Sequence, residues 1–269
     1  MKRLLIPAVL ILFLTSCEKE NEPVYEDYQS NTLLRQIKMA ESDMEVFTYY
    51  NTASIFEHVQ LFSYRKFLYD EQNRLSKIEI AQSLNPLSCA IIPGTDFEAG
   101  DDPRKAKVGQ ITEFDYSDGG TIDTKRYYYM DNDNKVLMNY EKYEYENNEV
   151  VKINLYNPQD RLTYYLTYLY DSNGNVSEEK FYYLEESGTA TLQSKTLYLY
   201  DDQNNPFKVF AVEGSPGRNT NVNNITRQTT ISYYSGEESS YTVDYTYEYN
   251  ELGYPVKVNG LEYIYGEEG

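Results

Sequence analysis

The sequence has little of what many enzymes and metal sites require. It contains no Trp, one His and two Cys, which leaves too few residues for a thiolate zinc site, a disulfide scaffold or a histidine-based triad. Basic residues are also scarce, since 24 Lys and Arg stand against 43 Asp and Glu, for a formal charge of −19. Nucleic-acid binding depends on clustered Lys and Arg that neutralise phosphates, so this balance argues against a nucleic-acid partner.

The longest apolar run of the sequence lies at the N-terminus. Lys2 and Arg3 precede an apolar stretch at residues 4–14, which has the length of a signal-peptide core and falls short of the roughly 20 residues of a transmembrane helix. Residues 14–17, Leu-Thr-Ser-Cys, resemble the lipobox of bacterial lipoproteins. The resemblance implies a signal peptide at residues 1–16, lipidation of Cys17 and a lipid anchor in the outer membrane.

The stretch after the cysteine, residues 17–31, is polar and acidic and predicts a solvated tether. Acidic residues directly after Cys17 resemble the export signal of Bacteroidetes surface lipoproteins, which implies a cell-surface location. A plain spacer on a lipoprotein that faces the periplasm is the alternative. Residues 32–269 are expected to form a single domain, because all-β units often have this length.

A short motif recurs along the chain. An aromatic residue is followed at +1 by a small polar or acidic residue, at +4 by Gly or Asn and at +6 by a branched apolar residue. The clearest copies begin at Tyr69, Tyr116 and Tyr170, and weaker ones begin at Met130, Tyr145, Tyr156, Tyr200 and Tyr249. Gly and Asn tolerate a positive φ, and Asp or Asn caps its own turn, so the motif predicts a strand, a tight turn and a new strand.

Between these turns the tyrosines alternate with other residues, as in residues 245–249, and therefore share one face of each strand. We predict an all-β fold, an up-and-down antiparallel meander of about 12–15 strands that is barrel-like or strongly curved. Two stretches, residues 83–107 and 213–224, interrupt the rhythm with Pro and Gly. They are predicted to be long loops, which in compact domains are either disordered or functional.

The copy that begins at Tyr170 and ends at Val176 resembles the YD repeats of RHS-type proteins, in which many repeats build a hollow shell. About eight degenerate copies are too few to enclose a second domain, so the function of the shell is not carried over. Together with the lipobox and the acidic balance, the copies resemble uncharacterised Bacteroidetes lipoproteins with a porin-like β-meander. That resemblance implies a fold and a location, and no catalytic residues.

Acidic and amide residues in two turns could hold a cation. Asp171, Asn173 and Asn175 begin like a calcium-binding loop, and Asp131 with Asp133 gives a second acidic cluster. The first loop lacks the Gly and Glu that an EF-hand places at its sixth and twelfth positions. We interpret it as a hairpin turn and predict no metal site and no cofactor.

Three other residues have simple interpretations. His58 is expected on the face that also carries Phe56, as a packed residue rather than a base, because the sequence has no nucleophile elbow. Cys89 is predicted to be a buried, unpaired thiol. Asn224 begins a glycosylation sequon that is incidental in a bacterial lipoprotein.

Tyrosine is the most distinctive component, with 31 residues. Aligned tyrosines can stack on sugars or grip a peptide, whereas cross-strand packing explains them without a ligand. We predict a non-catalytic surface module that binds a glycan, a peptide or a protein partner, at residues that the sequence does not identify. A purely structural or envelope-assembly lipoprotein is the alternative, and a glycoside hydrolase, which needs two converging acids, is a remote one.

Overall fold

The computed structural model describes residues 30–40, 42–50, 52–60, 63–82, 103–234 and 237–266. The strands of this part of the chain are Leu34–Met39 (β1), Ser42–Tyr49 (β2), Ile55–Gln60 (β3), Ser63–Tyr69 (β4), Leu75–Gln82 (β5), Gln110–Tyr116 (β6), Ile122–Asp131 (β7), Asn134–Glu146 (β8), Glu149–Tyr156 (β9), Leu162–Tyr170 (β10), Val176–Leu184 (β11), Ala190–Tyr200 (β12), Ile225–Tyr234 (β13), Glu237–Asp244 (β14), Tyr247–Tyr249 (β15), Pro255–Val258 (β16) and Leu261–Tyr265 (β17). Two 3₁₀ helices span Pro103–Lys105 and Pro206–Glu213. Neither is long and apolar enough to cross a membrane.

The strands form one antiparallel sheet. From β1 to β14 each strand pairs with the next one in the chain. A second run, β15–β16–β17, joins the first because β17 pairs with β1. The predicted all-β, up-and-down antiparallel meander is therefore confirmed, although the described residues hold 17 strands rather than 12–15. The predicted number is too low because the strands after residue 245 are short and closely spaced.

The two ends of the sheet come together without a ladder. Among the described residues, β14 and β15 are not paired with each other, so the sheet is curved but not closed into a barrel. Residues 245 and 246 lie between these strands, and each makes a backbone hydrogen bond to a different neighbouring segment. The Tyr245 amide donates to the carbonyl of Thr226 in β13 (2.8 Å), and the Asn259 amide donates to the carbonyl of Thr246 (3.1 Å).

Eight tyrosines of the described chain each bind the backbone at the start of a hairpin. Seven of the rings lie at or next to the end of the second strand of their hairpin, and Tyr247 begins β15, three residues after the end of β14. Each hydroxyl donates to a carbonyl oxygen 2.5–2.9 Å away. We call them the hairpin tyrosines, and they are Tyr49, Tyr69, Tyr116, Tyr145, Tyr170, Tyr200, Tyr247 and Tyr265. Their acceptors are Leu34, Ile55, Leu75, Ile122, Val150, Val176, Ile225 and Pro255. The repeat unit is therefore one hairpin.

The turns that follow the hairpin tyrosines lie at one end of the sheet, which we call the turn end. At two of the clearest copies, those of Tyr69 and Tyr170, the carboxylate after the tyrosine caps the turn: Asp70 Oδ1 accepts the amides of Gln72 and Arg74, both at 2.9 Å. Asn73 has a φ of 59°, and Gly174 of the later copy has a φ of 83°. The predicted turn chemistry at +1 and +4 is confirmed.

Three weaker copies of the motif differ from the clear ones in their position in the sheet or in the length of the connection, although the turn after Tyr156 is capped in the same way, by Asn157. Met130 and Tyr156 lie at the opposite end of the sheet, where consecutive turns of a meander alternate. After Tyr200 the new strand starts at Ile225 rather than near Phe207, because residues 201–224 are inserted between the two strands. This insertion positions the candidate site.

Candidate functional site

Residues 201–224, which we call the inner segment, leave the turn end and run through the concave side of the sheet. Its helix Pro206–Glu213 begins after Asn205, whose side chain accepts the Phe207 amide (3.0 Å). The helix ends at Gly214 with a φ of 72°. A cap residue followed by Pro, and a glycine that accepts a left-handed conformation, are ordinary helix-start and helix-stop signals.

Aromatic side chains of the inner segment hold it against strands that are distant in sequence. The Phe210 ring lies 5.7 Å from Phe47 of β2 and 6.0 Å from Phe67 of β4. The Phe207 ring lies 6.0 Å from Tyr263 of β17. All five side chains belong to the buried core, so one short helix joins both halves of the curved sheet.

Asparagines fix the return of the inner segment to the sheet. Asn221 is fully buried; its Oδ1 accepts the Val176 amide (2.9 Å) and its Nδ2 donates to the Tyr200 hydroxyl (2.9 Å). Asn175 Oδ1 accepts the amides of Val222 and Asn223 (2.8 and 3.0 Å). Of the two alternatives for the predicted loop at residues 213–224, disorder is therefore wrong, because satisfied side-chain amides replace the ladder hydrogen bonds that this stretch lacks.

Three cavities border the inner segment in the described structure. One of about 370 Å³ lies toward β1, β2, β12, β13 and β15–β17 and is bordered by Arg218. A second of about 470 Å³ opens at the turn end beside Gly214. The third, of about 380 Å³, lies between Glu213 and the inner face of β4–β10. We call the third one the charged cavity.

The charged cavity brings together four ionisable side chains. Arg65 Nη2 lies 2.5 Å from Glu213 Oε2, and the Lys125 ammonium donates to Ser215 Oγ (3.2 Å) and to the Glu213 carbonyl (3.4 Å). Glu141 accepts the Tyr143 hydroxyl (2.8 Å). Burial lowers the pKa of Lys125. Within the described residues the second carboxylate oxygen of Glu213, Oε1, is buried and has no hydrogen-bond partner.

His58 is packed, as predicted. Its ring stacks on Phe47 with centroids 4.5 Å apart, and its Nε2 lies 2.7 Å from Glu45 Oε2. Burial lowers the pKa of His58, against the effect of the nearby Glu45 carboxylate. Phe56, which was expected on the same face as His58, instead packs on Tyr50, because the β2–β3 register shifts between Thr48 and Tyr49.

Tyrosines on the convex side form a different arrangement. Tyr140 stacks on Tyr156 with centroids 5.0 Å apart, and Tyr165 stacks on Tyr182 at 4.7 Å. Lysines of β8–β12 alternate with inward-facing residues and so lie on the same side as these rings. We define the outer tyrosine–lysine face as Tyr140, Lys142, Lys152, Tyr156, Tyr165, Lys180, Tyr182 and Lys195.

The lysines of this face are close to the rings and only half of them are neutralised. The Lys152 ammonium lies 5.0 Å from the Tyr165 ring centroid, and Lys142 lies 5.9 Å from that of Tyr156. Lys152 and Lys180 pair with Glu144 and Glu178 (3.1 and 2.5 Å). Lys142 and Lys195 make no ion pair with any described residue. The face is therefore locally cationic within an acidic protein.

The remaining sequence candidates have structural roles or fall outside the described residues. Asp171 Oδ1 accepts the amides of Asn173 and Asn175 (2.8 and 3.0 Å), as a capped hairpin turn. Asn224 is buried, and its side chain donates to Asp201 (3.2 Å). Asp131 and Asp133 are exposed at the opposite end, and no group of three metal-ligating side chains occurs in the described part. Cys17, Cys89 and residues 83–102 lie outside it.

Sequence reasoning did not identify Arg65, Lys125 and Glu213 as neighbours. Glu213 is the first residue of the predicted loop, which is the one signal that pointed toward this site. The partners of Glu213 come from β4 and β7, and such long-range pairs follow only from the curvature of the sheet around the inner segment. Strand alternation says nothing about the position of Glu213, which lies outside the strands.

Comparison with known proteins identifies the fold. No protein-family model and no curated protein matches the chain. Among solved structures, a porin-like protein from Bacteroides vulgatus is 12% identical with a TM-score of 0.52, over 87% of this chain and 98% of that chain. A porin-like protein from Bacteroides uniformis (14% identity, TM-score 0.37, 86% and 95% covered) and a Bacteroides fragilis protein of unknown function (13%, 0.36, 50% and 91%) also align. The chain thus has the fold of the Bacteroides vulgatus porin-like protein.

Proposed function

We propose that this chain is a non-catalytic, lipid-anchored module of the outer-membrane surface that binds an acidic glycan through the outer tyrosine–lysine face. The observation that carries the proposal is the combination of stacked tyrosines with lysines that lack acidic partners. Tyrosine rings offer flat apolar surface with a polar tip, and ammonium groups attract the carboxylates or sulfates of an acidic sugar chain. The likeness to a porin-like protein supports an envelope location.

The rest of the chain makes this face selective by charge. The formal charge of −19 repels anions from most of the surface, so an acidic polymer is attracted only where lysines gather. The interaction between exposed charges weakens with salt, over a screening length of about 8 Å at physiological ionic strength. Binding through this face is therefore expected to weaken as salt rises.

The test is binding of hyaluronan and polygalacturonate to the full chain in detergent, with neutral dextran as the comparison. We expect binding of the acidic polymers alone, and an affinity about tenfold lower in Tyr165→Ala and in Lys142→Gln, as for a central aromatic or charged contact. Tyr183→Ala is the matched control, because this exposed ring pairs in register with inward-facing Tyr164. Equal binding of dextran, or variants that bind like the wild type, would refute the proposal.

The lipid anchor has its own test. Cys17→Ala is expected to abolish acyl-chain labelling of the chain in a lipoprotein-processing bacterium and to leave the precursor uncleaved. Labelling that persists in this variant would remove the anchor from the proposal, and protease treatment of intact cells separates a surface location from one that faces the periplasm.

A purely structural role is the second candidate, and the hairpin tyrosines favour it. Their hydroxyls donate to backbone carbonyls of the sheet. Cross-strand packing also explains the two stacked tyrosine pairs of the outer face without a ligand. If no acidic glycan binds and Tyr165→Ala mainly lowers the unfolding temperature, the outer rings serve the sheet and the structural role takes precedence.

A further inference from the structure

We propose that the charged cavity is a second binding site, for a neutral, hydroxyl-rich small molecule the size of a single sugar unit. This site is independent of the outer tyrosine–lysine face, because the two lie on opposite sides of the sheet. Its volume of about 380 Å³ is within the range of about 300–1,000 Å³ that is usual for small-molecule sites.

The balance of charge in the lining indicates a neutral ligand. The cavity is bordered by two cationic side chains, Arg65 and Lys125, and by two carboxylates, Glu141 and Glu213. An ion of either sign would meet a like charge at close range in a partly desolvated space, which is costly. A neutral molecule avoids this penalty.

The hydrogen-bonding groups of the lining indicate hydroxyls. Glu213 is 8% exposed and Lys125 is 6% exposed, so both are nine-tenths buried at the wall of the cavity. Glu213 Oε1 is an acceptor without a described donor, and the Lys125 ammonium has three donors, of which Ser215 and a carbonyl take two. A hydroxyl group both donates and accepts, so neighbouring hydroxyls of one sugar ring can satisfy both residues.

The walls and the mouth fit the same ligand. Tyr127 and Tyr164 border the cavity and provide aromatic surface of the kind on which sugar rings stack. Met138 also borders it and is 42% exposed, so the cavity reaches solvent beside this residue. A ligand can therefore enter without displacement of the inner segment.

The test is isothermal titration of the full chain in detergent with glucose, galactose and N-acetylglucosamine, with glycine betaine as a zwitterionic comparison. We expect saturable binding of at least one of the sugars and none of betaine. Glu213→Gln keeps the shape of the side chain and is expected to weaken binding at least tenfold. Met138→Trp narrows the mouth without a change to the buried charges and is expected to abolish binding, which keeps the test decisive if Glu213→Gln does not fold.

Two matched variants separate this site from the proposed glycan face. Leu199→Ala on the convex side is expected to leave sugar binding unchanged, and Tyr165→Ala is expected to affect hyaluronan alone. Absence of saturable sugar binding to the wild type, binding of betaine in place of sugar, or full affinity in Met138→Trp would each overturn the inference. None of these outcomes depends on whether the outer face binds an acidic polymer.

Discussion

Tyrosines occur on both sides of the sheet, and the two groups differ in what their hydroxyls do. On the concave side the Tyr200 hydroxyl donates to the Val176 carbonyl (2.5 Å) and accepts from Asn221 (2.9 Å). On the convex side the rings of Tyr165 and Tyr182 stack on each other beside lysines. The same residue type thus closes hairpins on one side and offers surface on the other, so tyrosine density alone does not indicate a binding face.

The largest expected difference between the two sides concerns apolar packing. Phe210→Ala would remove the ring that contacts Phe47 and Phe67 inside the sheet, and it is expected to cost about 3–5 kcal/mol of unfolding free energy. Leu199→Ala removes a side chain that is 57% exposed on the convex side, with an expected change within about 0.5 kcal/mol. Urea denaturation followed by circular dichroism measures both. Similar losses would show that the inner segment does not hold the sheet together.

A smaller difference is expected for two glycines that both have a left-handed backbone. A Cβ at Gly214 would overlap the Ile122 side chain, so Gly214→Ala combines overpacking with strain and is expected to cost about 2–4 kcal/mol. Gly188 has a φ of 84° in an exposed turn, and its Cβ would meet open space, so Gly188→Ala is expected to cost about 1 kcal/mol. Equal unfolding midpoints for the two variants would contradict close packing at Gly214.

Removal of single hydroxyls tests the comparison directly. Tyr200→Phe would break the bond to the Val176 carbonyl and leave the Asn221 amide without this acceptor, at an expected cost of about 1–3 kcal/mol. Tyr182→Phe keeps the stacked ring on the convex side and is expected to change stability by less than about 0.5 kcal/mol. Thermal unfolding of the two variants side by side decides whether hydroxyls matter only on the concave side.

The smallest expected effect is the pH dependence of stability that is caused by His58 on the concave side. Burial lowers the pKa of His58 below its usual 6.5, so the unfolded chain binds a proton more readily than the folded chain does. The contribution of His58 to stability is therefore complete above pH 6.5 and decreases as the pH falls below that value. His58→Gln keeps a donor for Glu45 but does not titrate. The urea midpoint of this variant is expected to change less between pH 7.5 and 5.5 than that of the wild type. A wild-type midpoint that rises on acidification would contradict this sign.

The sequence predicts what is local and repeated. The capped turn after Tyr69, the left-handed Gly174 and the apolar residue that starts each new strand follow from turn chemistry and alternation, and they fix the meander. The same reasoning fails where pairs are distant in sequence. The contact between Arg65 and Glu213 depends on the path of the inner segment. The alternation of side chains along the strands does not determine that path.

The candidate sites show the same division. The turn interpretation of Asp171 and the packed state of His58 could be predicted, because each depends on neighbours within one or two strands. The stacking of Tyr165 on Tyr182 requires the register across two strands, which the motif spacing sets only approximately where bulges occur, as between Phe181 and Tyr182. Buried charge at Lys125 could not be predicted, since the register shift beside Ile122 breaks the alternation that would place this side chain, and alternation does not show which carboxylate faces it.

The hydroxyl bond of each hairpin tyrosine also bears on how such a chain can change in evolution. In the hairpin β11–β12, for example, the donor Tyr200 and the acceptor Val176 lie in the same unit, and the same holds for Tyr69 and Ile55 in the hairpin β3–β4. A gene duplication or deletion of one hairpin therefore carries both halves of the bond with it and leaves none unmatched. The number of hairpins can therefore change in evolution while each remaining hairpin keeps its own tyrosine–carbonyl hydrogen bond.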